Sequence, residues 1–261
     1  MSSGVMELSN FQLLLTYSFV VIAMVLTSIN GINRNKEFII AAFRMTIQLF
    51  IAGYILVYIF GSDSFIFSAL MILFMESSAV FNIINPKKKI LSKEIKFSIL
   101  ISQFVGSLLT IIFFLVVVVR PNPIYNPQYL IPLGGMLISN SMTAVNLALN
   151  HMINSVKNDR NKIEGALMLG ATPRMAMDNL IQEAFDTAIM PSLNGMRNLG
   201  IISLPGMMTG QILSGTNPLI AIRYQIAITS AILGSAALCV FIFLGLGYKN
   251  FFNKEAQLIR L

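Results

Sequence analysis

Apolar positions along the chain gather into seven runs near the length that crosses a bilayer as a helix, about 20 residues. They cover residues 11–29, 38–60, 65–84, 97–119, 131–153, 188–214 and 221–247, the sixth being interrupted by Pro205 and Gly206. Short polar links join most of them. One link is different: residues 154–186 form the only long polar run. The pattern predicts an all-α, polytopic membrane helical bundle of about seven transmembrane helices. No repeat, low-complexity tract or linker divides it, so residues 1–261 read as a single transmembrane domain.

The polar run reads as two short helices around a tight break: KNDRNKIEGALML, then Gly170-Ala171-Thr172-Pro173, then RMAMDNLIQEAF. Gly170 suits the left-handed residue that ends a helix, Thr172 can cap the next, and Pro173 fits its first turn. Met177, Leu180, Ile181 and Ala184 then keep the i, i+3, i+4, i+7 spacing of one apolar face. A two-faced helix-turn-helix projecting from a membrane protein offers a soluble partner something to grip. The plainer alternative is a solvated loop joining two spans.

Composition agrees with the membrane reading. Hydrophobic residues make up 56% and charged residues 11% of the chain, whereas a soluble domain carries about 25% charge. A net charge of +7 raises the question of nucleic acid, but no basic stripe with interleaved aromatics is present. Fourteen of the eighteen Lys and Arg residues fall in the links after spans 1, 3 and 5 and in the tail, among them Lys87–Lys89, Lys157, Arg160, Lys162, Lys254 and Arg260. Basic links stay on the cytosolic side. The N-terminus is therefore expected outside, with the C-terminus and the 154–186 loop in the cytosol. No Lys or Arg precedes the first apolar run, which argues against a cleaved signal peptide. Cys239, the single cysteine, reads as packing, and a lone His151 at a span end makes a poor metal centre.

Polar residues inside the spans are costly unless paired or wet. Arg44 and Glu76 sit at matching depths in consecutive spans, roughly 9 to 12 Å below the inner surface by helix rise. They are expected to form an ion pair; the alternatives place Glu76 on a translocation path, or let Arg44 and Arg197 snorkel inward. Ser139, Thr143, Asn146 and Asn150, with Asn140 beside them, hold one face of span 5. That stripe is either glue between helices or the wall of a hydrated route. At the break in span 6, Pro205 removes a backbone bond, and Gly206 and Gly210 form a small-xxx-small pair. The break is a packing kink or a substrate-facing turn, with Met207 and Met208 supplying thioethers.

The stretch LPGMMTGQILSGTNPLIAIRYQI, with LGATP at 169–173, GMLISNSM at 135–142, FRMTIQLFIAGYILVYIFG at 43–61 and IMPSLNGMRNLGIISLPGMMTG at 189–210, resembles one family. It is similar to the permease subunits of Fet-type ABC transporters, associated with bacterial iron export, and to the related plant aluminium-tolerance permeases. The resemblance covers roughly residues 30–248. It implies a homodimeric permease in the bacterial plasma membrane, worked by a separate cytosolic ATP-binding subunit in two copies. The 154–186 loop would then be the coupling element, with Glu164, Gly165, Ala166, Gly170, Ala171, Thr172 and Pro173 at the contact. Glu164-Gly165-Ala166 followed by Gly170 also resembles the EAA signature of ABC importers, without the Ile-x-Leu-Pro that follows it there.

The chain has no Gly-rich loop ending in Gly-Lys-Ser or Gly-Lys-Thr. It is accordingly expected to be no enzyme and to bind no cofactor, leaving ATP and Mg to the partner. The cargo implied is a metal ion, iron by resemblance, although no ligand set is assigned to it. An ABC permease for a different small solute, a passive channel and a non-transporting scaffold are the competing readings.

Overall fold

The computed structural model describes residues 8–61, 64–253, 255 and 257–259. Lys254, Arg260 and the tip of the 61–64 link lie outside the described residues. The described chain is helical throughout. In order the elements are α1 (Asn10–Thr16), α2 (Ser18–Ile29), α3 (Asn35–Phe60), α4 (Phe65–Ile84), α5 (Lys93–Phe113, extended by π-helical turns over Phe114–Val119), α6 (Pro127–Asn158), α7 (Arg160–Met168), α8 (Pro173–Asn198), α9 (Gly206–Leu213) and α10 (Pro218–Gly247).

Several starts are written in the sequence. Asn126-Pro127, Thr172-Pro173 and Asn217-Pro218 each put a capping side chain before a proline at the first helical position. The cap oxygen takes an orphan backbone N–H, and the proline lacks the N–H that would otherwise go unpaired. Ser9 and Gln12 close a reciprocal capping box at α1.

Among the described residues, six helical stretches are long and apolar enough to span a membrane: Asn10–Ile29, Asn35–Phe60, Phe65–Lys87, Lys93–Val119, Pro127–Asn158 and Pro218–Phe251. The chain is a multi-pass membrane protein. The run expected as a sixth of seven spans is not one helix. The short helix expected after Pro173 does not stop near Asp186 either; α8 runs on for 26 residues to Asn198. Nothing between Asp186 and Ala188 breaks it. Its buried face continues from Met177, Ile181 and Ala184 to Ala188, so helix and packing reinforce each other.

The tightest crossing is between α5 and α10. A Cβ on Gly106 would stand 2.5 Å from the Cys239 sulfur and 2.9 Å from the Cys239 Cα. Glycine at 106 is what lets the two backbones meet. The buried Ser141 and Ser235 hydroxyls, 2.7 Å apart, tie α6 to α10 beside that crossing. Two apolar clusters fill the bundle. One holds Val145, Leu149, Met152, Met177 and Phe243; the other holds Leu115, Leu133, Leu137 and Ile228. The Arg174 guanidinium lies 5.2 Å over the Tyr248 ring, and Asn250 donates to the Ser98 hydroxyl at 2.8 Å. The starts of α5 and α8 therefore share one end of the bundle with the end of α10. α1, α2 and α3 form a peripheral wing, whose α3 packs on α2 and meets the bundle chiefly at α6.

Candidate functional site: an exposed elbow and a polar cavity

The elbow between α7 and α8 is closed by the hydrogen bonds of a Schellman motif. Ala171 N–H donates to Ala166 C=O and Gly170 N–H to Leu167 C=O, both at 3.0 Å. Gly170 sits at φ +90°, a conformation that side-chain-bearing residues rarely adopt. Thr172 Oγ1 accepts the Met175 N–H at 3.3 Å, and Pro173 opens α8. Arg160 and Glu164, 2.8 Å apart one turn along α7, stiffen the approach. Asp159 holds Lys162 at 2.6 Å, and that hydrogen bond pushes the lysine pKa up from its ordinary value.

One side of this elbow is anchored, because Ile163 and Met177 are buried. Its tip is bare: Met168 is 88% and Leu169 91% exposed, with Met175 also open. Gly165 has open space around it. Glu164 faces a cavity shared with Leu167 and Leu258. The seven residues expected at the elbow therefore do come together. The apolar tip itself was not among them; a Met-Leu pair directly before the Gly170 turn was the available signal.

Beside the bundle core, α6, α8, α10 and the 199–205 link border an open cleft of about 360 Å³, with Asn140, Thr143, Asn198 and Ser203 exposed on its walls. Its polar lining is Asn140 and Thr143 from α6, Ser192 and Asn198 from α8, Ser203 from the link, and Gln225 and Thr229 from α10. Gln225 Nε2 donates to Thr229 Oγ1 at 2.9 Å, leaving Gln225 Oε1 buried without a partner. Asn140 uses its amide N–H on Met136 C=O at 2.8 Å. The donors and acceptors facing the cavity are thus neutral amides and hydroxyls, with the Met196 thioether beside them.

The link owes its shape to Gly200, at φ +81°, whose N–H donates to Ser203 C=O at 3.0 Å. This corrects the expected break at Pro205, Gly206 and Gly210. Pro205 caps α9, while Gly206 and Gly210 lie within it, with nothing near their missing Cβ atoms. The glycine that bends the chain is six residues earlier. Proline stands just before a helix here, whereas at α6, α8 and α10 it is the first helical residue.

Other expected residues go elsewhere. Asn146 accepts from Lys87 Nζ at 2.5 Å, and Asn150 is not in the cavity lining. Met208 is buried, and Met207 faces a separate pocket of about 190 Å³ beside Gln211 and Tyr224. The Arg44–Glu76 ion pair does not form among the described residues. Glu76 is fully buried and takes the Ser107 hydroxyl from α5, whereas Arg44 lines a cleft beside α3. Gln225, Thr229, Ser192, Asn198 and Ser203 were missed. Gln225 and Thr229 share a face of α10 one turn apart, which is readable in retrospect.

A profile of the uncharacterised protein family UPF0014 matches residues 10–252, nearly the whole helical chain. The chain belongs to UPF0014. The chain is similar to several proteins over nearly its whole length. The probable iron export permease protein FetB of Escherichia coli is 34% identical over 97% of this chain and 96% of its own length. The membrane protein YjkA of Bacillus subtilis, itself of UPF0014, is 35% identical over 95% of this chain and 97% of its own. Protein ALUMINUM SENSITIVE 3 of Arabidopsis thaliana is 32% identical over 92% and 86%. This UPF0014 chain matches no solved structure.

Proposed function

We propose that this protein is the permease subunit of an ABC transporter, coupling ATP hydrolysis in a separate nucleotide-binding subunit to export of a metal ion. The observation that carries this is the elbow. A capped, rigid turn presents Met168 and Leu169 bare at its tip, on a multi-pass chain similar to a protein named as an iron export permease. Apolar side chains surrounded by charged ones are what a docking partner buries. In this reading the elbow faces the cytosol, in keeping with the basic links at that end of the bundle.

α8 and α9 together count as a crossing. Residues 173–217 lead from the end of α10 back to its start, giving seven spans with the N-terminus outside and the C-terminus inside. Two copies of the chain, in the plasma membrane of a bacterium, would each receive one ATP-binding subunit. ATP and Mg would be held by those partners, and the polar cavity would be the stopping point of the cargo. Iron enters this reading through the relative's name. The neutral lining, with no carboxylate or imidazole among its residues, favours a second cargo within the same class: a chelated metal or another small polar solute.

The test is reconstitution. Co-expressed and purified with an ABC ATP-binding subunit from the same genome, the permease should raise ATP hydrolysis when iron(II) or an iron chelate is supplied in vesicles. Hydrolysis indifferent to every metal and chelate would remove the export reading. Transport without any ATP-binding subunit would remove the ABC reading.

A further inference from the structure

Between α3 and the facing sides of α4 and α6 lies a second, larger cleft of about 650 Å³. It is two-ended. Arg44 and Gln48 from α3 and Ser78 and Asn82 from α4 line it towards the end where α3 begins and α4 finishes. Met71 and Phe74 line it towards the opposite end. Because the wing touches the bundle so sparingly, protein does not close this space.

Arg44 is about 13 Å along α3 from its first residue by helix rise, within the apolar part of a spanning helix. The ion pairs of the described residues do not include it. Glu76, the acid nearest in depth, is turned away towards α5. A guanidinium at that depth is costly unless it meets an anion or reaches the interface, and with no carboxylate on it among the described residues an anion would come from outside the chain. The apolar half of the cleft in turn calls for hydrocarbon. A soluble anion would leave that half unfilled, and a zwitterionic lipid would leave Arg44 without net countercharge. Just beyond α4, at the polar end of the cleft, follow Lys87, Lys88 and Lys89, with Lys93 and Lys96 after them. Such a cluster draws acidic headgroups to the adjoining leaflet.

We propose that this cleft binds an acidic phospholipid, with the headgroup phosphate on Arg44 and an acyl chain along Met71 and Phe74. The site is independent of any ATPase coupling and of the identity of the cargo.

The chain contains no tryptophan, so Met71→Trp installs a lone fluorophore at the half-buried apolar end. The protein is placed in phosphatidylcholine vesicles carrying equal fractions of either phosphatidylglycerol or phosphatidylcholine with dibrominated acyl chains. Brominated phosphatidylglycerol should quench with about fivefold preference, the size expected of one arginine beside an acidic lipid. Adding Arg44→Gln should abolish the preference, and Arg44→Lys should keep part of it. Equal quenching in the Arg44 protein overturns the proposal. So does a preference unchanged by Arg44→Gln, which would assign it to the lysine cluster. Loss of the preference on adding inorganic phosphate would transfer the site to a soluble anion, and no quenching by either lipid would mean that a second copy fills the cleft. Should Arg44→Gln fail to fold, Ser78→Phe plugs the cleft while leaving the charge, and should erase the preference equally.

Discussion

At Gly170 the backbone stands at φ +90°, where any L side chain is strained by about 1–2 kcal/mol. Gly170→Ala should therefore loosen the elbow while the spans still fold, and Gly170→Arg should do so more severely. Co-purification of an ATP-binding subunit is the measurement, and undiminished association would count against the docking role. Gly106 is a different case, since its Cβ would overlap the Cys239 backbone and sulfur. Gly106→Ala should cost about 1–3 kcal/mol by overpacking, read as a lower Tm in detergent. Cys239→Ala should relieve only part of it, because the Cys239 backbone is also in the way. Glu76→Gln should leave the Tm equal or higher, as an amide oxygen still accepts from Ser107 and no charge need be buried. The sequence made Gly170 legible because a glycine before Thr-Pro leaves few other conformations. It misled on Arg44 and Glu76, since helix rise gives depth but says nothing of direction around the axis.

Thr172-Pro173 marked the start of α8 by local chemistry alone, whereas Asn126-Pro127 and Asn217-Pro218 start α6 and α10 four and three residues before the apolar runs expected there, since hydropathy does not register a cap. Helix ends were harder. Asp186 looked like the end of a polar helix, yet polarity on one face does not stop a helix whose other face stays buried. The break near Pro205 was legible as a break and misassigned in detail. Proline and glycine side by side drew attention from Gly200, which makes the turn. The two glycines should accordingly differ: Gly200→Ala should destabilise by about 1–2 kcal/mol, whereas Gly206→Ala, in ordinary helical conformation, should be neutral or stabilise by up to about 1 kcal/mol. Thermal unfolding of the pair in one detergent separates them, and equal effects would put the bend elsewhere.

The membrane bundle as a whole was visible in the apolar runs, but the cavity was visible only on one wall. Asn140 and Thr143 follow helical spacing within one segment and could be read directly. Gln225, Ser192 and Ser203 arrive from residues far apart in sequence, and only tertiary packing brings them opposite. If the cavity holds cargo, Gln225→Leu and Asn140→Leu should lower transport severalfold with little change in Tm, because each faces open space more than core. A fall in stability matching the fall in transport would reduce the cavity to structure.

The run of α8 carries a mechanical consequence. From Pro173 to Pro191, the proline inside the helix, it is a rod about 27 Å long, so a tilt of about 5° at one tip displaces the other by about 2 Å. Movement of the elbow is thus carried along α8 as far as Pro191, where the missing backbone hydrogen bond leaves a joint at which the turn bearing Ser192 and Asn198 can move separately.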